Sequence, residues 1–79
     1  MNVRDQLAKI IADEVGIDPA NIQDEQSITS LGVVGFSSVV VWIEIETTFH
    51  FEMSDETWDS MKTFGDLVKG VTAQMVEVA

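Results

Sequence analysis

The chain has 79 residues, 46% of them apolar, and its 14 acidic and four basic side chains give a formal net charge of −10. This length fits one small domain, 1–79, with a modest core, and the acidity disfavours binding to nucleic-acid phosphates and to anionic membranes. The chain contains no cysteine, which excludes a disulfide framework and a thiolate metal site. The longest apolar run, Val39 to Ile43, is too short to span a bilayer. The charged N-terminus is unlike a signal peptide, so we expect a cytoplasmic protein.

The first predicted element is an amphipathic helix over residues 3–15. Its apolar side chains recur at helical spacing, with charged residues between them. Gly16 is expected to end this helix, and Asp18 and Pro19 open a turn. Residues 17–34 then form a long connection, which we expect to pack on the core through spaced apolar anchors. These anchors are Ile17, Ile22, Ile28 and Leu31.

The segment 36–53 carries two conflicting patterns. A β-branched run at 39–41, followed by alternating apolar and polar residues, favours a strand or hairpin such as a β-grasp domain would contain. Val41, Ile45 and Phe49 at i, i+4 spacing favour a helix instead. The absence of Gly and Pro from 36–49 tilts the balance modestly towards helix, but local propensity leaves both alternatives open.

Two capping patterns mark the C-terminal third. Ser54 is a plausible N-cap for a short helix ending near Met61. Thr63 followed by Asp66 resembles a capping box that opens the last helix. The predicted buried face of this helix consists of Phe64, Leu67, Val68, Val71, Met75 and Val76.

In this order, the segments are similar to those of the acyl carrier protein family over nearly the full chain. Residues 7–17 resemble the family's first helix and its Gly-Val ending, and 24–28 resemble the loop before the second helix. Residues 46–49 followed by 52–56 resemble the family's Glu-Glu-Glu-Phe…Glu-Ile-Pro-Asp-Glu. Leu31 and Gly32 match the Leu-Gly that precedes the modified serine, and Thr63 with 67–68 resembles the start of the last helix. The resemblance implies an all-α four-helix bundle and a carrier rather than an enzyme. It places helices near 3–15, 36–49, 55–61 and 64–77, and so favours helix for 36–49.

The resemblance also implies an attachment site, and here the chain departs from the family. In the family, an Asp-Ser-Leu triplet opens the second helix, and the serine bears 4′-phosphopantetheine, whose thiol carries acyl groups. A gap-free register from Leu31 puts Gly35, which has no hydroxyl, on that serine. Val34 and Phe36 replace the other two residues, so natural divergence explains Gly35 better than a single engineered change.

Two alternatives follow for the prosthetic group. Either the site is lost, or a nearby serine substitutes for Gly35. In the second case Ser37 is the expected attachment residue, because it lies nearest the helix N-terminus, whose dipole would stabilise a phosphodiester. The structural alternative is that Ser37 and Ser38 cap a helix starting half a turn later.

The family's second helix is the surface that meets partner enzymes, which predicts a docking surface here. Several family positions in this region, near Val34, Ser37, Val40 and Thr47, are commonly acidic, whereas this chain is mostly apolar there. We therefore predict a drier interface, although Val40 and Ile43 could instead enlarge the core. The predicted docking residues are Phe36, Val39, Val40, Ile43, Glu46 and Thr47, with Glu44 as a further acidic contact.

The sequence is compatible with two functions. The first is an atypical acyl carrier protein of fatty-acid, polyketide or peptide biosynthesis. The second is an unmodified, carrier-derived interaction or regulatory protein without 4′-phosphopantetheine. In both, the expected partners are biosynthetic enzymes with basic or apolar docking surfaces, and we expect a monomer that binds neither nucleic acid nor membrane.

The residue types give little support to catalysis or metal binding. His50 is the only histidine and has no cysteine or paired serine to act with. The acids Asp55, Glu56 and Asp59 lack the spacing of a calcium loop. Trp42 and Trp58 are expected to serve packing. No catalytic or metal residue is therefore predicted.

Overall fold

The computed structural model describes residues 2–78, and the burial of side chains over residues 2–75. Four α-helices follow one another, and no β-strand occurs within 2–78; Ser27 and Thr63 form only an isolated antiparallel bridge. The predicted all-α four-helix fold is confirmed, and segment 36–49 is helical. The helices are α1 (Val3–Val15), α2 (Phe36–Phe49), α3 (Asp55–Ser60) and α4 (Phe64–Val78).

Local residue types explain where α1 ends and where α3 begins. Gly16 ends α1 with a left-handed φ of 78°, a conformation that glycine adopts without a steric penalty. Ser54 precedes α3, and its hydroxyl accepts a hydrogen bond from the Thr57 N–H at 3.1 Å. The predicted roles of Gly16 and Ser54 are confirmed.

The start of α4 is closed by the predicted capping box. The Asp66 N–H donates to Thr63 Oγ1 at 3.1 Å, and the Thr63 N–H donates to the Asp66 carboxylate at 3.2 Å. The Lys62 N–H donates to the same carboxylate at 3.1 Å. The hydrogen bonds from Thr63 and then Lys62 lower the pKa of Asp66 below its ordinary value, because they favour the ionised carboxylate. The reciprocal bonds fix the first turn of α4.

The core is filled from α1, α2 and α4, from the connection before α2, and from Met53 and Met61, which flank α3. In α2 the predicted stripe of Val41, Ile45 and Phe49 is buried. In α4 the first two turns supply most of the buried surface, and Val68 is half-buried. The core residues are Leu7, Ala8, Ile11, Ala12, Ile22, Ile28, Leu31, Val33, Val41, Ile45, Phe49, Met53, Met61, Phe64, Leu67 and Val71.

Two apolar residues predicted to face the core do not do so. Ile17 is exposed because its position is fixed by the backbone: its N–H donates to the Ala12 carbonyl at 3.2 Å in the turn that ends α1. Met75 is also exposed, since no residue from Thr72 to Met75 is buried and α4 extends past the packed core there. The predicted burial of Val76 lies outside the residues whose side chains are described.

The connection 17–34 is pinned to the junction between α3 and α4. It contains two short 3₁₀ turns, Pro19–Asn21 and Thr29–Leu31. The Ile28 N–H donates to the Lys62 carbonyl at 2.9 Å, and the Gly65 N–H donates to the Asp24 carbonyl at 2.8 Å. These backbone bonds, with buried Ile22, Ile28 and Leu31, fix the point from which α2 departs.

None of the helices within residues 2–78 combines the length and apolar character that crossing a bilayer demands.

Candidate docking and attachment site

The turn that leads into α2 is built around Gly35. Gly35 has φ 56° and ψ −128°, and the Ser37 N–H donates to the Val34 carbonyl at 3.1 Å. These angles match the second residue of a type II′ turn, a conformation dominated by glycine. A Cβ at Gly35 would meet no atom within 4 Å. The backbone conformation, not crowding, therefore makes this position unsuitable for a serine.

The two serines that follow differ in what their hydroxyls do. The Ser38 hydroxyl donates to the Gly35 carbonyl at 2.6 Å and is committed to the opening turn. The Ser37 side chain is half-buried, and its hydroxyl makes no hydrogen bond to any other residue of the described part of the chain. Because α2 begins at Phe36, neither serine is its N-cap. Ser37 alone presents an uncommitted hydroxyl in the first turn.

The first turn of α2 has no side-chain cap, and its Ser37 and Ser38 N–H groups donate to the Val34 and Gly35 carbonyls, each at 3.1 Å. It contains no acidic residue, and Gly35 has no side chain with which to accept a hydrogen bond from the first amides. The partial positive charge of a helix N-terminus favours a nearby anion. The electrostatics at Ser37 therefore suit a phosphodiester.

Large apolar side chains lie exposed along one side of α2, opposite its buried stripe. Phe36 is 80% exposed, and Val39 and Ile43 are 51% and 55% exposed. Val34, just before the helix, is 53% exposed. We call these four residues the apolar face. Ile43 therefore does not enlarge the core, whereas Val40 is half-buried. Exposed apolar side chains grouped on one side of a helix are typical of an interaction surface.

The polar residues predicted for docking have different surroundings. Thr47 is exposed. Glu46 is half-buried, and its carboxylate accepts a hydrogen bond from the Met53 N–H at 2.8 Å, which holds the connection between α2 and α3. Glu44 is exposed and is the freer acid beside the apolar face. Val34 is not among the docking residues predicted from the sequence. Its apolar side chain, at the position of the family's aspartate, is the signal that could have added it to them.

The flank of α2 that faces α3 is covered by two tryptophans. The Trp42 and Trp58 rings stack with centroids 5.4 Å apart and an interplanar angle of 26°. Both are half-buried, which confirms their predicted packing role. The stack ties the short helix α3 to α2.

The opposite flank of α2 borders an open groove against α1. This groove has a volume of about 450 Å³. Its apolar wall includes Ile10, Val40 and Val41, and its polar lining includes Gln6 and Thr48. The remaining lining residues are Lys9, Asp13, Glu14 and Glu44.

The described residues contain no cluster of three or more His, Cys, Asp or Glu side chains placed to hold a metal ion. His50 has a structural position. It ends α2 with φ 58°, and its N–H bonds to the Glu46 carbonyl.

Comparison with known sequences finds relatives that cover most of the chain. The chain is 34% identical over 76 residues to a protein of Clostridium acetobutylicum named acyl carrier protein, a match covering 95% of this chain and 99% of that relative. It is 27% identical over 70 residues to the protein of the same name from Chlamydia trachomatis serovar L2, covering 87% and 91% of the two chains. No protein-family model matches the chain.

Proposed function

The chain belongs to the acyl carrier protein family, and from this premise we propose that it is an atypical carrier that docks on enzymes through its apolar face and is modified on Ser37. Members of the family carry 4′-phosphopantetheine and are not catalysts, so this chain is not an enzyme. The observation that carries the proposal is the pairing, within one turn of α2, of an 80% exposed Phe36 with the uncommitted hydroxyl of Ser37. The proposed setting is fatty-acid, polyketide or peptide biosynthesis.

Ser37 supplies the chemistry that attachment needs. In a transferase active site its hydroxyl oxygen would form a bond to the phosphorus of coenzyme A, as the bond to the adenosine bisphosphate leaving group breaks and the hydroxyl proton is lost to a base of the transferase. The bound group would supply a thiol for carrying acyl groups as thioesters. The positive end of the α2 dipole would stabilise the phosphodiester that remains.

The apolar face determines which partner surface would fit. Phe36 can act as an aromatic anchor in an apolar pocket, the kind of residue that often dominates interface energy. The net charge of −10 and the exposed acid Glu44 favour a partner with a basic rim, chiefly through faster encounter. The same charge opposes association of two copies, so we propose a monomer.

A second candidate function rests on Gly35. The family's serine position is here a glycine with φ 56°, a conformation that would strain a restored serine. An unmodified interaction or regulatory protein would need only the apolar face and no arm. Both functions place the partner on α2, and they differ in whether Ser37 is modified.

Intact mass distinguishes the two functions. The chain is co-expressed with a phosphopantetheinyl transferase of broad specificity, beside the variants Ser37→Ala and Ser38→Ala. We expect the wild type and Ser38→Ala to gain the mass of one phosphopantetheine unit and Ser37→Ala to gain none. An unchanged mass for folded wild type would rule out the carrier and favour the second function. A modified Ser37→Ala would rule out only the choice of serine.

The rate of the same reaction tests docking. We expect Phe36→Ser to slow transfer by about tenfold or more, the effect of losing a modest hot spot. Met75→Ser is the matched control, because Met75 is also apolar and exposed but lies on α4. Equal rates for the two variants would show that the apolar face does not meet the transferase.

A further inference from the structure

Ser37 stands at the end of a row of α2 side chains that faces α1. An α-helix turns by about 100° per residue, so positions i, i+4, i+7 and i+11 share one side. Counted from Ser37, these positions are Val41, Glu44 and Thr48, and all three line the groove between α1 and α2. The groove therefore begins one turn beyond Ser37, on the same side of the helix.

The groove runs away from Ser37 along both helices. A Cβ on Gly32 would lie 3.5 Å from Val15, so the C-terminal end of α1 is next to the start of α2. From Ser37 to Thr48, α2 advances by about 16 Å. The α1 lining residues Gln6, Ile10 and Glu14 are spaced four apart and form a matching row. The two rows enclose a trough that begins one turn beyond Ser37.

The dimensions and chemistry of the trough suit a thin, neutral chain. Its volume of about 450 Å³ lies within the range of about 300 to 1,000 Å³ typical of ligand clefts. Ile10, Val40 and Val41 supply apolar contacts, and Gln6 and Thr48 supply hydrogen-bonding groups. The only base in the lining, Lys9, is paired with Asp13 at 2.9 Å.

The flank of α2 that faces α3 offers no comparable path. The stacked rings of Trp42 and Trp58 cover that side, with centroids 5.4 Å apart. A chain attached to Ser37 would also have to cross the apolar face to reach it, because Phe36, Val39 and Ile43 lie between.

We propose that the groove between α1 and α2 is the resting site of the arm attached to Ser37. The inference rests on the proposed function, because it supposes that an arm is present. The two amides of a pantetheine chain would pair with Gln6 and Thr48, and its two methyl groups would contact Ile10 and Val40. The arm would thereby leave the apolar face free for a partner.

A chemical label tests the groove independently of any transferase. The chain has no cysteine, so Ser37→Cys creates a unique thiol that will be alkylated by a maleimide attached to the hydroxyl end of S-methyl pantetheine, whose own thiol is blocked. Amide resonances in two-dimensional NMR then report where the label lies. We expect the largest shifts at Gln6, Ile10 and Thr48, at least twofold larger than those at Trp58.

Two further variants make the result decisive. Val39→Cys, at an exposed position on the other side of α2, carries the same label as a matched control and should leave the α1 resonances unshifted. In the Ser37→Cys background, Val40→Asp removes an apolar wall and should reduce the Ile10 shift by half or more. Shifts centred on Trp58, equal α1 shifts from both labels, or no α1 shift from Ser37→Cys would overturn the inference. Failure of the enzymatic mass gain would instead overturn attachment to Ser37 and leave this measurement unaffected.

Discussion

The helices α2 and α4 both begin with phenylalanine, and the two rings have opposite fates. Phe64 of α4 is fully buried beneath the Arg4 guanidinium, which lies 5.2 Å from the ring centroid, whereas Phe36 of α2 is 80% exposed. The opening turn of α4 is closed by a reciprocal capping box, whereas that of α2 follows a glycine. The contrast teaches that the start of α4 is committed to the core and to its cap, whereas the start of α2 leaves its apolar surface exposed.

Removing the two rings should give the largest difference. We expect Phe64→Ala to lower the free energy of unfolding by about 3 to 5 kcal/mol, because it leaves a cavity in the core. Phe36→Ala should change it by less than about 0.5 kcal/mol, as is usual for exposed sites. Urea denaturation followed by circular dichroism measures both. Phe64→Leu, a smaller change, covers the case in which Phe64→Ala does not fold. A Phe36→Ala variant as unstable as Phe64→Leu would contradict the contrast.

Replacing Gly35 tests whether the opening of α2 depends on its backbone conformation. Gly35→Ser should cost about 1 to 3 kcal/mol, the usual range for a residue held in a sparsely populated conformation. Gly35→Ala is the control, since it adds a Cβ without a hydroxyl and should cost the same. Thermal denaturation provides the comparison. If Gly35→Ser were as stable as wild type, the turn would not require glycine.

Deleting one hydroxyl from each opening turn sharpens the comparison. Thr63→Ala removes the acceptor for the Asp66 N–H and should cost about 1 kcal/mol, a typical N-cap effect. Ser37→Ala removes an uncommitted hydroxyl and should cost less than about 0.5 kcal/mol. Both values come from urea unfolding at neutral pH. Equal losses would mean that Ser37 has a structural partner after all.

The smallest effect concerns the pH dependence of the α4 cap. The pKa of Asp66 is lowered in the folded chain by hydrogen bonds from the Thr63 and Lys62 amides, so its carboxylate stabilises the fold above the ordinary value of 3.8. That contribution disappears as the pH falls through the lowered pKa.

Urea midpoints measured from pH 7 down to pH 2 test this behaviour. Wild type should exceed Asp66→Asn at neutral pH, and the gap should close at the acidic end. Asp55→Asn, in the first turn of α3, serves as a control for general loss of charge. A gap that stays constant over the whole range would show that ionisation of Asp66 does not matter.

Much of the helical framework could be predicted because its determinants are local. Gly16, Ser54 and the Thr63–Asp66 pair act within one turn of chain, and each was found to do what its residue type indicates. The segment 39–53 could not be assigned from propensity, because β-branched side chains also pack well on a buried helix stripe. For this segment it was the resemblance to a family that favoured a helix over a strand.

The candidate site was less predictable, because it depends on conformation and on contacts distant along the chain. The residue type of Gly35 is compatible with an ordinary N-cap, and only the backbone angles reveal that glycine is required. The sequence around Glu46 does not distinguish it from other surface acids. Its hydrogen bond with the Met53 amide forms only when the chain turns back after α2. Ile17 was predicted to be an apolar anchor from its side-chain type alone. Its exposure follows from a backbone hydrogen bond to Ala12, which the side-chain type does not indicate.

The stacked pair at the α2–α3 boundary gives the molecule an optical property of its own. Trp42 and Trp58 are its only two tryptophans, and it contains no tyrosine, so nearly all its near-ultraviolet emission originates at one contact. Any event that pulls the short third helix away from the second changes the surroundings of both emitters at once. The native fluorescence is thus a gauge of that separation and requires no added dye.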